Sequence, residues 1–385
     1  MTNQATILQV LPALDSGGVE RGTIEIVQAI AAAGMKPLVA SNGGGLVPLV
    51  ARAGGEHIAL PLHSKNPWTI WRNAARLEKL IRARGVSLIH ARSRAPAWAA
   101  YLAAKRTGIP FVTTFHGAYG AEGKFKKRYN AVMAKGDRVI AISEFVCNYV
   151  VQNYTIDPAI LRLIPRGVDL AMFDEGRTVP GRIHELTTAW LLPDEAIPII
   201  LFPSRISPVK GQAWLIEALA TIQDRSFICV LVGKDTGHEQ YARELEEQII
   251  ALKLESRVRI RDATQAMTEA YTLSDIVIGS LRAEPFGRVA IEAQAMGRLV
   301  IATDEGGSRE TIIQNETGYL VPPGDTAALA QAICYALERD VATKQAMASH
   351  ARQHVRRHFS SDLMKERTLI VYRELLEPQM AEQAA

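Results

Sequence analysis

Two carboxylates eight residues apart, Glu284 and Glu292, bracket the stretch Glu284-Pro-Phe-Gly-Arg-Val-Ala-Ile-Glu292. Upstream, residues 274–280 form a short β-branched apolar run. Downstream, residues 288–296 have helical composition with no breaker before Gly297. The stretch therefore reads as a strand-to-helix turn in which Pro285 opens the helix. The free N–H groups of Gly287, Arg288 and Val289 then point out of the helix N-terminus along its dipole, which makes an anion site suited to phosphate. Glu284 lies just before that site and Glu292 roughly a turn and a half inside the helix. One carboxylate can face a reacting group while the other accepts hydrogen bonds from hydroxyls further along the same ligand. A diphosphate flanked by two sugars fits this description.

Two cations answer the same ligand. Arg205 and Lys210 flank a proline-containing turn in Phe202-Pro-Ser-Arg-Ile-Ser-Pro-Val-Lys-Gly211, at the mouth of an apolar run. Placed at a sheet edge, they would balance a diphosphate that gains charge as its bond to a sugar breaks. No D-x-D occurs in the sequence, and no His, Asp or Glu cluster has metal-ligand spacing. Neither a metal nor any other cofactor is expected.

These elements need a scaffold of strands and helices in alternation. Residues 6–11, 37–40, 57–62, 87–90, 111–116, 138–143 and 161–165 read as strands. A second series follows at 197–204, 227–233, 258–261, 276–280, 299–303 and 318–321. Alternation with helical segments means parallel sheets covered on both faces. Residues 171–196, weakly patterned and carrying Pro180, Gly181 and Pro193, read as the connection between two domains, 1–170 and 197–358. A C-terminal helix over 359–385 then packs back toward the first.

Together the motifs resemble the retaining glycosyltransferases of family 4. Residues 284–292 are similar to that family's E-x7-E signature, 205–210 to its R-x4-K segment, and Gly318-Tyr-Leu-Val-Pro-Pro-Gly-Asp325 to the strand and loop after its active site. The resemblance implies an α/β GT-B fold, two Rossmann-like doubly wound domains facing across a cleft, with the nucleotide sugar held by the second. It implies Glu284, Arg205, Lys210 and His116 as the catalytic set, His116 matching the histidine that touches the donor sugar. Donor-binding positions would be Gly17, Gly18, Gly233, Phe286, Gly287, Arg288, Val289 and Glu292. Gly17 and Gly18 lie where the first strand hands over to a helix; they lack the full G-x-G-x-x-G pattern of a dinucleotide fold. Asn usually stands where this chain has Arg166, which leaves that residue free to meet an acidic acceptor or to pair with Asp169.

Charge separates the halves. Residues 1–170 hold 21 Lys+Arg against 10 Asp+Glu, and residues 171–385 hold 23 against 30. The basic half points to an anionic partner. Trp68, Trp71, Arg72, Arg76 and Lys79 on one helix, and the cluster Lys124, Lys126, Lys127 and Arg128, are candidates for an anionic membrane surface carrying a lipid-linked or cell-envelope glycan acceptor. The expected activity is transfer of a hexose from a UDP- or GDP-linked sugar, as in lipopolysaccharide or exopolysaccharide assembly. A GT-B epimerase or phosphorylase is the alternative enzyme. A nucleic-acid-binding protein is the alternative of another class, but no helix-turn-helix, zinc or aromatic RNA-binding signature supports it. Residues 1–14 carry no basic leader and no apolar run long enough to span a bilayer, so the expected place is the cytoplasm, peripheral on the inner face of its membrane. The three cysteines, without disulfide or zinc spacing, read as buried structural thiols.

Overall fold

The computed structural model describes residues 4–15, 17–120, 123–234 and 237–384, with side chains described up to residue 377. They form two compact units, Met1–Pro165 with Ser361–Ala385, and Arg166–Ser360.

In the first unit seven parallel strands, β1 (Thr6–Val10), β2 (Lys36–Ser41), β3 (Glu56–Ala59), β4 (Val86–Ala91), β5 (Phe111–Phe115), β6 (Arg138–Ala141) and β7 (Leu161–Leu163), lie in the order β3-β2-β1-β4-β5-β6-β7. Every residue of β1 and β5 is buried, as strands covered on both faces require. The chain steps one way from β1 to β3 and the other way from β4 to β7. Right-handed crossovers therefore put the helices Pro67–Arg84, Arg94–Thr107 and Lys124–Asn130 on one face and Gly18–Ala32 on the other.

The helix Pro67–Arg84 shows how local sequence sets such an element. The Asn66 side chain accepts from the Trp68 and Thr69 N–H groups at 2.9 and 3.4 Å, Pro67 occupies the first turn, and Gly85 at φ 58° ends the helix. Ala74, Leu77 and Ile81 are buried along its inner face.

The helix Ser361–Ala384 packs on Gly18–Ala32, where Met364, Val371, Tyr372 and Leu376 share a core with Ile7, Ile26, Ile30 and Leu88. At its centre His90 Nδ1 meets the Tyr372 hydroxyl at 2.6 Å and Nε2 meets Thr114 Oγ1 at 2.7 Å. Burial, with the Arg92 charge nearby, holds the His90 imidazole well below its usual pKa, so it is neutral in the fold. Its depressed pKa means that the unfolded chain binds the proton first on acidification. The His90 contribution is thus intact above the unfolded pKa of about 6.5 and is lost as pH falls from there toward the folded value. Denaturant titrations of the first unit should show a falling midpoint below about pH 6.5. Tyr372→Phe should lower stability by about 1 kcal/mol at neutral pH.

The second unit holds six parallel strands, β8 (Ile199–Pro203), β9 (Ile228–Val232), β10 (Val258–Arg261), β11 (Ile276–Ile278), β12 (Leu299–Thr303) and β13 (Gly318–Val321), ordered β10-β9-β8-β11-β12-β13. Its limits differ from those read from the sequence. The segment from Arg166 is already part of this unit: the Val168 N–H donates to Phe359 O at 2.8 Å, and the helix Pro180–Ala189 packs on Met267–Leu273. Residues 171–196 are thus a folded layer of the second unit rather than a connection. The sparse patterning of that stretch reflects a helix with only Leu186 buried. The C-terminal helix starts at Ser361 rather than 359, because Phe359 belongs to the second unit's core. Of the cysteines only Cys229 is buried; Cys147 and Cys334 are half-buried.

Candidate active site

In the second sheet the order reverses between β8 and β11, and ligands of such sheets bind outside the carboxyl ends of the strands at that point. The loop after β8 carries Arg205 and Lys210. The loop after β11 carries Glu284. The two loops meet: Lys210 Nζ makes an ion pair with Glu284 Oε1, and both side chains are about four-fifths buried, at 19% and 20% exposure. Gly211, at φ 87°, allows this approach, since a Cβ there would stand 2.8 Å from the Leu281 Cβ. Gln212 secures the first loop by donating to Ser204 Oγ at 3.0 Å and to Arg205 O at 2.7 Å. Arg205 is exposed, and its guanidinium joins no ion pair among the described residues.

A third loop, after β12, supports the second from below. The Gly307 N–H donates to Glu284 O at 2.8 Å, and a Cβ on Gly307 would lie 2.6 Å from both Phe286 C and Phe286 O. The bare glycines Gly306 and Gly307 therefore make room for the Glu284–Phe286 backbone itself.

The helix that follows begins at Arg288, with Gly287 at φ 87° as its cap, so Pro285 lies in the loop and does not open it. Glu292 is held from two sides: the Tyr271 hydroxyl donates to Oε2 at 3.0 Å and Arg288 donates to Oε1 at 2.8 Å. Tyr271 is fully buried, and burial together with the Glu292 charge pushes its phenol well above the usual pKa, which keeps it a donor. Each carboxylate oxygen retains a lone-pair direction for a further hydroxyl.

Two glycine and aromatic positions serve the fold rather than a ligand. Phe286 is 3% exposed and packs edge-on against Phe359 at 5.7 Å between ring centroids, so its side chain is a core anchor. Gly233 leaves room for backbone: a Cβ would fall onto the Ser204 carbonyl, with Ser204 C at 2.7 Å. Arg166 is 4% exposed, which removes it from any docking surface. Val289 sits half-buried in the first turn of the helix.

In the first unit Gly17 caps the helix that begins at Gly18, beside the reversal between β1 and β4. His116 directly follows β5, and its N–H donates to the Tyr119 hydroxyl at 3.3 Å. Tyr119 is stacked on Phe115, with the Arg94 guanidinium 4.3 Å above its ring. Trp68, Trp71, Arg72, Arg76 and Lys79, and Lys124, Lys126, Lys127 and Arg128, are all exposed. Among the described residues no group of three His, Cys, Asp or Glu is placed to hold a metal ion, and no helix is long and apolar enough to cross a membrane.

Residues 16–172 match the family described as Glycosyltransferase Family 4, and residues 197–339 match Glycosyl transferases group 1. The crystal structure of a glycosyltransferase from Rickettsia africae ESF-5 is similar at 41% identity over 97% of this chain and 99% of its own, with a TM-score of 0.90. This chain belongs to the family 4 glycosyltransferases. As a member of that family it has the GT-B fold, built from the two parallel-sheet Rossmann-like units described above. The family 4 enzyme is also similar to the D-inositol 3-phosphate glycosyltransferase of Kineococcus radiotolerans, at 28% identity over 78% of this chain and 74% of that protein. The structure of Anabaena Alr3699/HepE in complex with UDP and glucose is similar at 25% identity over 96% of this chain and 99% of its own, with a TM-score of 0.82.

Tyr271 is the part of this glycosyltransferase's site that sequence reasoning missed, and Arg288, read as a donor-binding position, gives its guanidinium to Glu292. Tyr271 stands 21 residues before Glu292, on a different helix, and no spacing rule connects them.

Proposed function

We propose that this glycosyltransferase moves a hexose, with retention of configuration and without a metal ion, from a UDP-sugar to a hydroxyl of a glycan acceptor presented at an anionic membrane surface, as in cell-envelope or lipopolysaccharide assembly. The observation that carries the reading is the meeting of Lys210 with Glu284 at the reversal of the second sheet, with Glu292 clamped one helix turn further in. The UDP and glucose named with the Anabaena neighbour support a UDP-hexose donor.

In this reading the β-phosphate oxygen leaves the anomeric carbon with the bonding electron pair, and Lys210 and Arg205 balance the charge it gains. The acceptor oxygen attacks from the same face, and its proton passes to the departing phosphate. Glu284 positions the sugar, Glu292 accepts from the ribose hydroxyls, and the N–H groups of Gly287, Arg288 and Val289 face the diphosphate.

Thermal shifts with UDP, GDP, ADP and TDP sugars test the donor, because a ligand that binds the folded state raises the melting temperature. Transfer assayed in EDTA, with the anomeric coupling read by NMR, tests the rest. Loss of turnover that Mg²⁺ or Mn²⁺ restores, or a β product from an α donor, would overturn the corresponding part. A phosphorylated cyclitol is the second acceptor reading, favoured by the names of the D-inositol 3-phosphate relatives, and the same assay with inositol phosphate in place of a glycolipid separates the two.

Tyr271→Phe removes a hydrogen bond to the Glu292 carboxylate while keeping the ring. The donor KM should rise by roughly three- to tenfold with kcat little changed. An equal fall in kcat at constant KM would mean that Glu292 acts in the chemical step instead.

A further inference from the structure

The first unit holds a basic cavity apart from the donor site. Lys124, Lys127, Arg128 and Ala131 recur at helical spacing along one face of the helix Lys124–Asn130 and the turn after it, and Lys135 closes the row. Asn153, Tyr154 and Thr155, at the end of the helix Glu144–Asn153, form the opposite wall. The cavity measures about 490 Å³, and among the described residues no carboxylate lines it. None of its four cations joins an ion pair among the described residues, whereas Arg138 and Arg162 of the same unit are both paired with Glu374. Cations gathered around a concavity without counter-charge repel one another. Such an arrangement is stabilised by an anion that enters it.

The kind of anion is indicated by Phe125. It lies on the same helix, next to the cationic face, and is 93% exposed, the most exposed of the large apolar side chains among the described residues. A free phosphate or a soluble phosphorylated metabolite gives such a ring nothing to bury against. A bilayer interface does, taking the ring among the acyl chains while cations meet the headgroups. Trp68 and Trp71, 76% and 55% exposed, sit on the helix Pro67–Arg84, which covers the same face of the sheet and packs on the helix adjoining this turn.

We infer that the cavity between residues 124–135 and 153–155 is a phospholipid headgroup site, in which Lys124, Lys127, Arg128 and Lys135 hold the phosphate of an anionic lipid and Phe125 inserts beside it. This names the contact by which the enzyme meets the membrane and rests on the membrane part of the reading above.

Co-sedimentation with vesicles of phosphatidylcholine, with and without phosphatidylglycerol, tests it, and the UDP-induced thermal shift reports separately on the donor site. The full-length protein should partition onto the phosphatidylglycerol vesicles only, and high salt should release it. Replacing Lys124, Lys127, Arg128 and Lys135 by Gln should lower the partition coefficient by roughly several hundredfold, since each basic residue near such a surface contributes roughly a fivefold factor. Phe125→Ser should lower it several-fold without changing the salt dependence. The UDP-induced shift should be the same in all variants. Unchanged partitioning of the quadruple variant would overturn the inference, as would loss only on replacing Arg72, Arg76 and Lys79. Displacement from the vesicles by inorganic phosphate or a short oligonucleotide at constant ionic strength would equally overturn it, by showing a soluble anion as the occupant. Absence of a UDP shift alongside normal vesicle binding would instead count against the donor assignment alone.

Discussion

Lys210→Ala should lower kcat by on the order of 10²–10³-fold while leaving donor KM within a few-fold of wild type, the size of effect seen when a preorganised charge or donor facing developing negative charge is removed. Lys210 follows β8 and Glu284 follows β11, neighbours at the sheet's reversal, and the two side chains are in contact. A cation held there by a carboxylate pays little entropy when the leaving diphosphate arrives. Glu284→Gln should also reduce kcat strongly, because the neutral amide neither holds Lys210 by charge nor stabilises a sugar that becomes positive. The double variant should be no worse than the more damaging single one if the pair acts as a unit. Steady-state kinetics of the three variants decide this. Fully additive losses would show two independent roles, and near-wild-type turnover of Lys210→Ala would remove it from the chemistry.

Gly233→Ala should cost the second unit roughly 3 kcal/mol, lowering its melting temperature by about 10 °C. One methyl is enough because the space a Cβ would take is occupied by the Ser204 carbonyl, and Arg205 Cα is 3.3 Å away. The clash is with backbone, at the point where β9 ends beside the loop that carries Arg205 and Lys210, so relief means moving that loop. In the absence of a clash, Gly to Ala would stabilise slightly by restricting the unfolded chain, so the sign of the change is informative. Calorimetry or fluorescence-monitored melting measures it. A variant that melts like wild type but binds the donor poorly would return Gly233 to the role of leaving room for ligand.

Much of the fold and of the site was legible in the chain's own residues. The strands lie where short runs rich in apolar residues alternate with helical segments, because a central strand covered on both faces of a parallel sheet is apolar nearly throughout, whereas the edge strands β3, β7 and β10 carry charged residues. The two carboxylates, the two cations and the basic first half were also legible, since their types and spacing are properties of the chain. Tertiary structure decided the rest. Strand order places the Lys210 and Glu284 loops side by side, and residues 74 apart in the chain carry no local sign of that meeting. Tyr271 reaches Glu292 from another helix, which periodicity on either helix cannot reveal. Phe286 and Gly233 read as ligand-facing from motif position, and Arg166 as meeting an acidic acceptor or pairing with Asp169, yet Phe286 is anchored on Phe359, Gly233 yields to Ser204, and Arg166 is buried. The segment 171–196 read as a connection because few of its side chains are apolar and regularly spaced, whereas packing against the helix Met267–Leu273 makes it part of the second unit. In each case the deciding contact joins residues far apart in sequence, and patterns within a window of ten or twenty residues hold no record of which distant backbone will arrive beside them.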